Sequence, residues 1–123
     1  MKPMIIVTNN PKVKMELGHV FEVHFVEEGI LDVFRYVRNL VHVGHEMLSH
    51  PLSGSVKPGE TLYKSVLVSK EKSSLHMDSL LILEEANQLA THLIEKGHER
   101  PMDDKIKEDL QFIDLTLIRS AIF

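Results

Sequence analysis

Residues 4–11, Met-Ile-Ile-Val-Thr-Asn-Asn-Pro, pass from a β-branched apolar run to a helix start with no loop between them. So short an apolar run predicts a buried strand ending at Thr8. Asn10 then stands where a side chain can cap the first free N–H groups of a helix, and Pro11 suits the first helical position. Gly18 predicts that this helix is short. A strand feeding directly into a helix is the opening unit of an α/β chain.

Val20–Val26 reads as a second strand, broken by Glu27-Glu28-Gly29. Ile30, Val33, Phe34, Val37, Leu40 and Val41 recur at helical spacing, with Gly44 as the stop. Glu46-Met47-Leu48-Ser49 predicts a brief third strand, and Val66-Leu67-Val68 the core of a fourth. A long helix is expected from about Met77 to Gly97, with Leu83, Ala86, Leu89, Ala90 and Leu93 on one face. A last helix, capped by Asp103, places Ile106, Leu110, Ile113, Leu117 and Ala121 on one side. The order β-α-β-α-β-β-α-α predicts an α/β fold. The expectation is a small three-layer domain with a mostly parallel four-stranded sheet flanked by helices, residues 1–123 forming one domain.

Between the third and fourth strands, residues 48–65 read LSHPLSGSVKPGETLYKS. So long a polar, turn-rich stretch in a compact domain points to a functional loop, although Ser-Gly-Ser and Lys-Pro-Gly are also ordinary turn chemistry covering a sheet edge. In open α/β sheets, ligands collect beyond the carboxyl ends of the strands. If the first and third strands are neighbours, Thr8, Asn9 and Asn10 emerge there beside His50. Ser53, Gly54 and Ser55 add hydroxyls and backbone N–H groups, and Tyr63 follows. Lys57 and Lys64 give a local cationic bias, so the candidate ligand is a small anion. The Gly-x4-Gly-Lys-Ser/Thr spacing of a nucleotide-binding P-loop is absent. His50 could orient a ligand or move a proton beside Ser53 or Ser55, but no third residue completes a triad.

Other features narrow the function classes. The formal charge of −4 argues against nucleic-acid and anionic-membrane partners. No run is apolar enough to span a bilayer and no signal-peptide pattern opens the chain, so a cytoplasmic protein is expected. The absence of Cys excludes disulfides and thiol chemistry. His42 and His45 are three apart at a helix end, but no carboxylate stands beside them at helical spacing and no metal site is expected. Leu80-Leu81-Ile82-Leu83, and Leu115, Ile118 and Ile122 in the last helix, exceed what one face needs. They suit either a helix sandwiched in the core or a homo-oligomer interface.

Four segments together are distinctive: Val7–Pro11, His50–Pro58, Tyr63-Lys64-Ser65 and Phe112–Ile118. With them the chain resembles the GrdX family, small proteins encoded with glycine, sarcosine and betaine reductases in amino-acid-fermenting anaerobes. The resemblance covers nearly the whole chain and implies a metabolic setting rather than a mechanism, a cofactor or catalytic residues. One departure is that Gly59-Glu60-Thr61-Leu62 replaces the family's Asn-Glu-Thr-Pro, so φ at residue 62 is not fixed by a proline ring. The expected role is accessory in that setting, with the small-anion pocket that the residues themselves suggest at the carboxyl edge of the sheet. The alternative is a protein that docks a reductase component through the 50–65 loop.

Overall fold

The computed structural model describes residues 3–54, 56–97 and 102–123. The chain runs β1 (Met4–Thr8), α1 (Pro11–Leu17), β2 (Glu22–Phe25), α2 (Ile30–His42), β3 (His45–Met47), β4 (Ser65–Lys72), α3 (Met77–Lys96) and α4 (Asp104–Ile122). Asn10 caps α1 as its position predicts, its side chain accepting from the Lys12 N–H at 3.0 Å. Asp103 caps α4 in the same way, accepting from the Ile106 N–H at 2.8 Å.

The four strands form one mixed α/β sheet in the order β2-β1-β4-β3. Only β1 and β2 pair in parallel; β4 is antiparallel to both β1 and β3. The sheet is therefore not mostly parallel, and the first and third strands are not neighbours. The cause is the connection. A parallel partner requires a crossover, usually a helix, as α1 provides between β1 and β2. Only the 48–64 loop joins β3 to β4, so the chain doubles back, and β4 enters between β3 and β1. Irregular pairing shortens β3: its register shifts between His45 and Met47. Beyond it, Leu48 N–H still donates to the Leu67 carbonyl at 2.7 Å and Ser49 Oγ accepts from Leu67 N–H at 2.9 Å.

Alternation along the central strands splits the core between the two faces of the sheet. Ile5, Val7, Val66 and Val68 pack with Val33, Phe34 and Val37 of α2 and with Leu83, Ala86 and Ala90 of α3. Ile6 and Leu67 meet Val13 and Leu17 of α1 and Leu115 and Ile118 of α4. The stripe expected on α2 is buried at Ile30, Val33, Phe34, Val37 and Val41, and Leu40 is partly buried against it. The face expected on α3 is buried at Leu83, Ala86 and Ala90, but Ser79 completes it and Leu89 is exposed.

In α4 the outcome is the reverse of the most apolar reading. The face turned to the sheet carries Asp114, Leu115 and Ile118, whereas Ile106 and Ile113 are about 40% exposed. Leu110 and Leu117, on that second stripe, border a small cavity against Ser53, Val56 and Tyr63 of the long loop. The loop thus lies across the outer stripe of α4. At Gly54 φ is +100° and an added Cβ would stand 2.6 Å from Leu117 Cδ1. No helix among the described residues is long and apolar enough to cross a membrane.

Candidate functional site

Thr8 is the last residue of β1, and Ser65, the first of β4, is its register partner. Their hydroxyls lie 2.7 Å apart, and both residues are buried. Ser65 gives its single hydroxyl proton to Asp114 Oδ2 at 2.7 Å, so the Thr8 hydroxyl donates to Ser65 Oγ. Thr8 Oγ1 in turn accepts from the Asn10 N–H at 2.9 Å. Asp114 also takes the Ser65 N–H at 3.1 Å and the Asn10 side-chain amide at 3.1 Å. The other proton of that amide goes to the Gln111 carbonyl at 2.8 Å. A carboxylate on the buried face of α4 is thereby tied to the ends of β1 and β4.

Asn9 fastens the neighbouring loops. Its amide nitrogen donates to the carbonyls of Glu28 at 3.0 Å and Leu62 at 2.8 Å, while its oxygen accepts from the Lys64 N–H at 2.9 Å. Lys64 is a buried residue, 7% exposed, and its ammonium donates to the Ser53 carbonyl at 2.6 Å. Burial lowers the pKa of Lys64, with the negative charge of Asp114 opposing that shift. Burial raises the pKa of Asp114, opposed by hydrogen bonds from Ser65 and Asn10 and by the Lys64 charge. Tyr63 Oη accepts from the Gln111 side-chain amide at 2.9 Å.

Beside this network, at the carboxyl ends of the parallel pair β1 and β2, opens a cleft of about 920 Å³. Asn9 and Pro11 wall it after β1, and Phe25 with Glu27–Ile30 wall it after β2. Gly59 and Thr61–Tyr63 close one side, and Ile94, Gly97, Met102 and Lys107 the other. The ammonium of Lys14 lies 4.9 Å from the centroid of the Phe25 ring. The walls are mainly apolar and aromatic, with Glu27, Glu28 and Lys107 as the charged groups. Such a concave, largely apolar space with few polar groups is the usual form of a small-molecule site.

The family model for GrdX-like proteins matches residues 5–123. The chain belongs to the GrdX-like family. No curated protein and no solved structure matches it. The segments that carried the GrdX resemblance now have a physical link: Thr8, Asn10, Ser65 and Asp114 from three of them share one hydrogen-bonded network.

The residues singled out in this GrdX-like chain do not all converge. Thr8, Asn10 and Lys64 belong to the buried network, while Asn9 and Tyr63 also line the cleft. Ser53 touches the network through its carbonyl. His50 is exposed, and its Nδ1 accepts from the Leu52 N–H at 3.0 Å, closing a turn with the Ser53 N–H on the His50 carbonyl. Gly54 and Lys57 are exposed and do not line the cleft; Ser55 lies outside the described residues. His42 ends α2 in solvent, whereas His45 is buried in β3 with Nδ1 2.6 Å from the Ser69 carbonyl. Among the described residues no cluster of three His, Asp or Glu could hold a metal ion.

Asp114 is not among the candidate residues, although the sequence marks it: a lone carboxylate flanked by Ile113 and Leu115 on a helix whose other acidic residues lie nearer its start. The cleft residues from α2, α3 and α4 carry no such mark. They are apolar or ordinarily charged positions, brought together only by the strand order.

Proposed function

We propose that this GrdX-like protein is an accessory protein of reductive amino-acid metabolism, acting with glycine, sarcosine or betaine reductase. It binds a small ligand in the cleft at the carboxyl edge of the sheet. The observation that carries the reading is the position of the cleft. It opens where α/β sheets receive ligands, and Asn9 and Tyr63, from two of the family segments, form part of its wall. The apolar walls take an apolar body. Lys107 and the amino end of α2 at Ile30 favour an anionic group on the ligand, while Glu27 and Glu28 restrict where that group can sit. The test is thermal denaturation with small carboxylates and phosphates at constant ionic strength. Stabilisation should be lost in Leu62→Asp and weakened in Lys107→Ala, but kept in Lys57→Ala, whose side chain lies outside the cleft. An equal response from all four proteins would remove the cleft reading.

A docking role has one observation in its favour. The tip of the loop, with Ser53, Gly54 and Lys57 exposed, is held on a rigid support by Lys64 and α4. On that reading, substituting exposed loop residues would abolish capture of purified reductase subunits, while Leu62→Asp would leave capture intact.

A further inference from the structure

The Lys64 ammonium carries three protons, and among the described residues it has one protein acceptor, the Ser53 carbonyl at 2.6 Å. Lys64 as a whole residue is 7% exposed, and the remaining protons of a buried ammonium need acceptors. Nearby is Asp114, 5% exposed, whose Oδ2 takes two donors but whose Oδ1, among the described residues, takes only the Ser65 N–H. The two groups feel each other's charge, yet no direct ion pair joins them among the described residues. Both line a cavity of about 20 Å³, together with Ser53, Thr61, Tyr63 and Leu117.

A water molecule needs a cavity of roughly 10–15 Å³ measured this way, and two to four polar partners. The cavity meets both requirements. The chemistry also discriminates among occupants. A second anion would face the Asp114 carboxylate, and a cation would face the Lys64 ammonium. A neutral molecule that both accepts and donates suits the two walls at once, and only a very small one fits. We propose that this cavity binds one water molecule, which accepts from Lys64 Nζ and donates to the Asp114 carboxylate. The bridged pair fastens the 53–64 loop to α4. Tyr63 lines both this cavity and the cleft, so the water also helps to set the cleft wall. This inference does not depend on what the cleft binds.

Lys64 and Asp114 are positioning residues here, and the wild-type protein itself supplies the test. A crystal structure at a resolution that orders solvent should show one water within hydrogen-bond distance of Lys64 Nζ and an Asp114 oxygen. Water–protein NOEs in solution should place a long-lived water beside the Lys64 side chain. Lys64→Met should lose both signals. If Lys64 and Asp114 are in direct contact, if a chloride or a protein atom fills the space, or if the cavity is dry, the proposal is overturned.

Discussion

Replacing Asp114 by alanine should be among the most damaging single changes in this protein, although the residue lies on the last helix and away from the cleft wall. The carboxylate accepts from the Ser65 N–H, the Ser65 hydroxyl and the Asn10 amide. Without it, Asn10 keeps the Gln111 carbonyl and the Ser65 hydroxyl can turn to Thr8, but the Ser65 N–H is orphaned. An unmade buried hydrogen bond of this kind costs about 1–3 kcal/mol. Lys64 also loses the charge that favours its protonated form. Removing one partner of a directly paired buried ion pair typically costs about 3–5 kcal/mol, which is an upper bound here because Lys64 and Asp114 are not in direct contact. A net loss of about 2–4 kcal/mol follows, a large part of the roughly 5–15 kcal/mol that stabilises an ordinary domain.

Asp114→Asn should cost less, about 1–2 kcal/mol, because the amide oxygen still accepts from Ser65 N–H. Its NH₂ group, in place of Oδ2, reverses the proton order along Thr8 and Ser65 and gives up the bond from the Asn10 amide, which keeps the Gln111 carbonyl. Urea unfolding followed by circular dichroism, extrapolated linearly to water, measures both variants. Adding Lys64→Met to Asp114→Ala should recover part of the loss. A cost below about 1 kcal/mol for alanine, or an asparagine variant as unstable as the alanine variant, would refute the reasoning.

Other consequences can be checked separately. Gly54→Ala should cost about 1–3 kcal/mol, because φ of +100° disfavours a side chain and the new Cβ meets Leu117; Leu117→Ala in the same chain should relieve the steric part but not the backbone part. Asn9→Ala should speed hydrogen exchange at the Lys64 amide and weaken ligand stabilisation, since one side chain holds both the Glu28 and Leu62 carbonyls. Folded Lys64 has the lower pKa and so binds fewer protons than the unfolded chain just below the free-lysine value of about 10.4. Its contribution to stability therefore rises with pH in that window, and Lys64→Met should lack the rise in urea-derived stability. Asp114 has the opposite sign: its raised pKa makes its contribution grow as pH falls from the folded value towards about 3.9, a trend that Asp114→Asn should remove.

Local features were the most legible in the sequence. Asn10-Pro11 and Asp103 marked helix starts because a cap acts through neighbouring N–H groups. The stripe Ile30, Val33, Phe34, Val37 and Val41 marked a buried face because no second apolar stripe competes with it. On α4 two stripes compete, and counting apolar residues selects the wrong one. Asp114 turns the helix because its partners Asn10 and Ser65, 104 and 49 residues away in the chain, wait at the sheet edge. Strand direction is illegible for a related reason: periodicity locates strands, but direction depends on whether a helix or only a loop connects them. The edge of the sheet bearing Thr8–Asn10 could be read from strand-end logic. The cleft that opens there draws Phe25, Ile94 and Met102 from remote segments with no local mark.

The tie between Asn10 and Asp114 also orders events when the chain folds. β1 lies at the centre of the sheet, yet its polar end has no complete set of partners until α4 docks. Synthesis proceeds from the amino terminus, so residues 8–10 and later Ser65 emerge long before residue 114 is made. Until then the hydroxyls and amide at the sheet edge must remain with water, and Ile6 and Leu67 lack Leu115 and Ile118. Contacts this distant in sequence slow folding, because the intervening chain must be ordered before they reward it. Docking of α4 is accordingly a late step. A ribosome-bound chain halted before residue 114 should leave that face of the sheet open to chaperones.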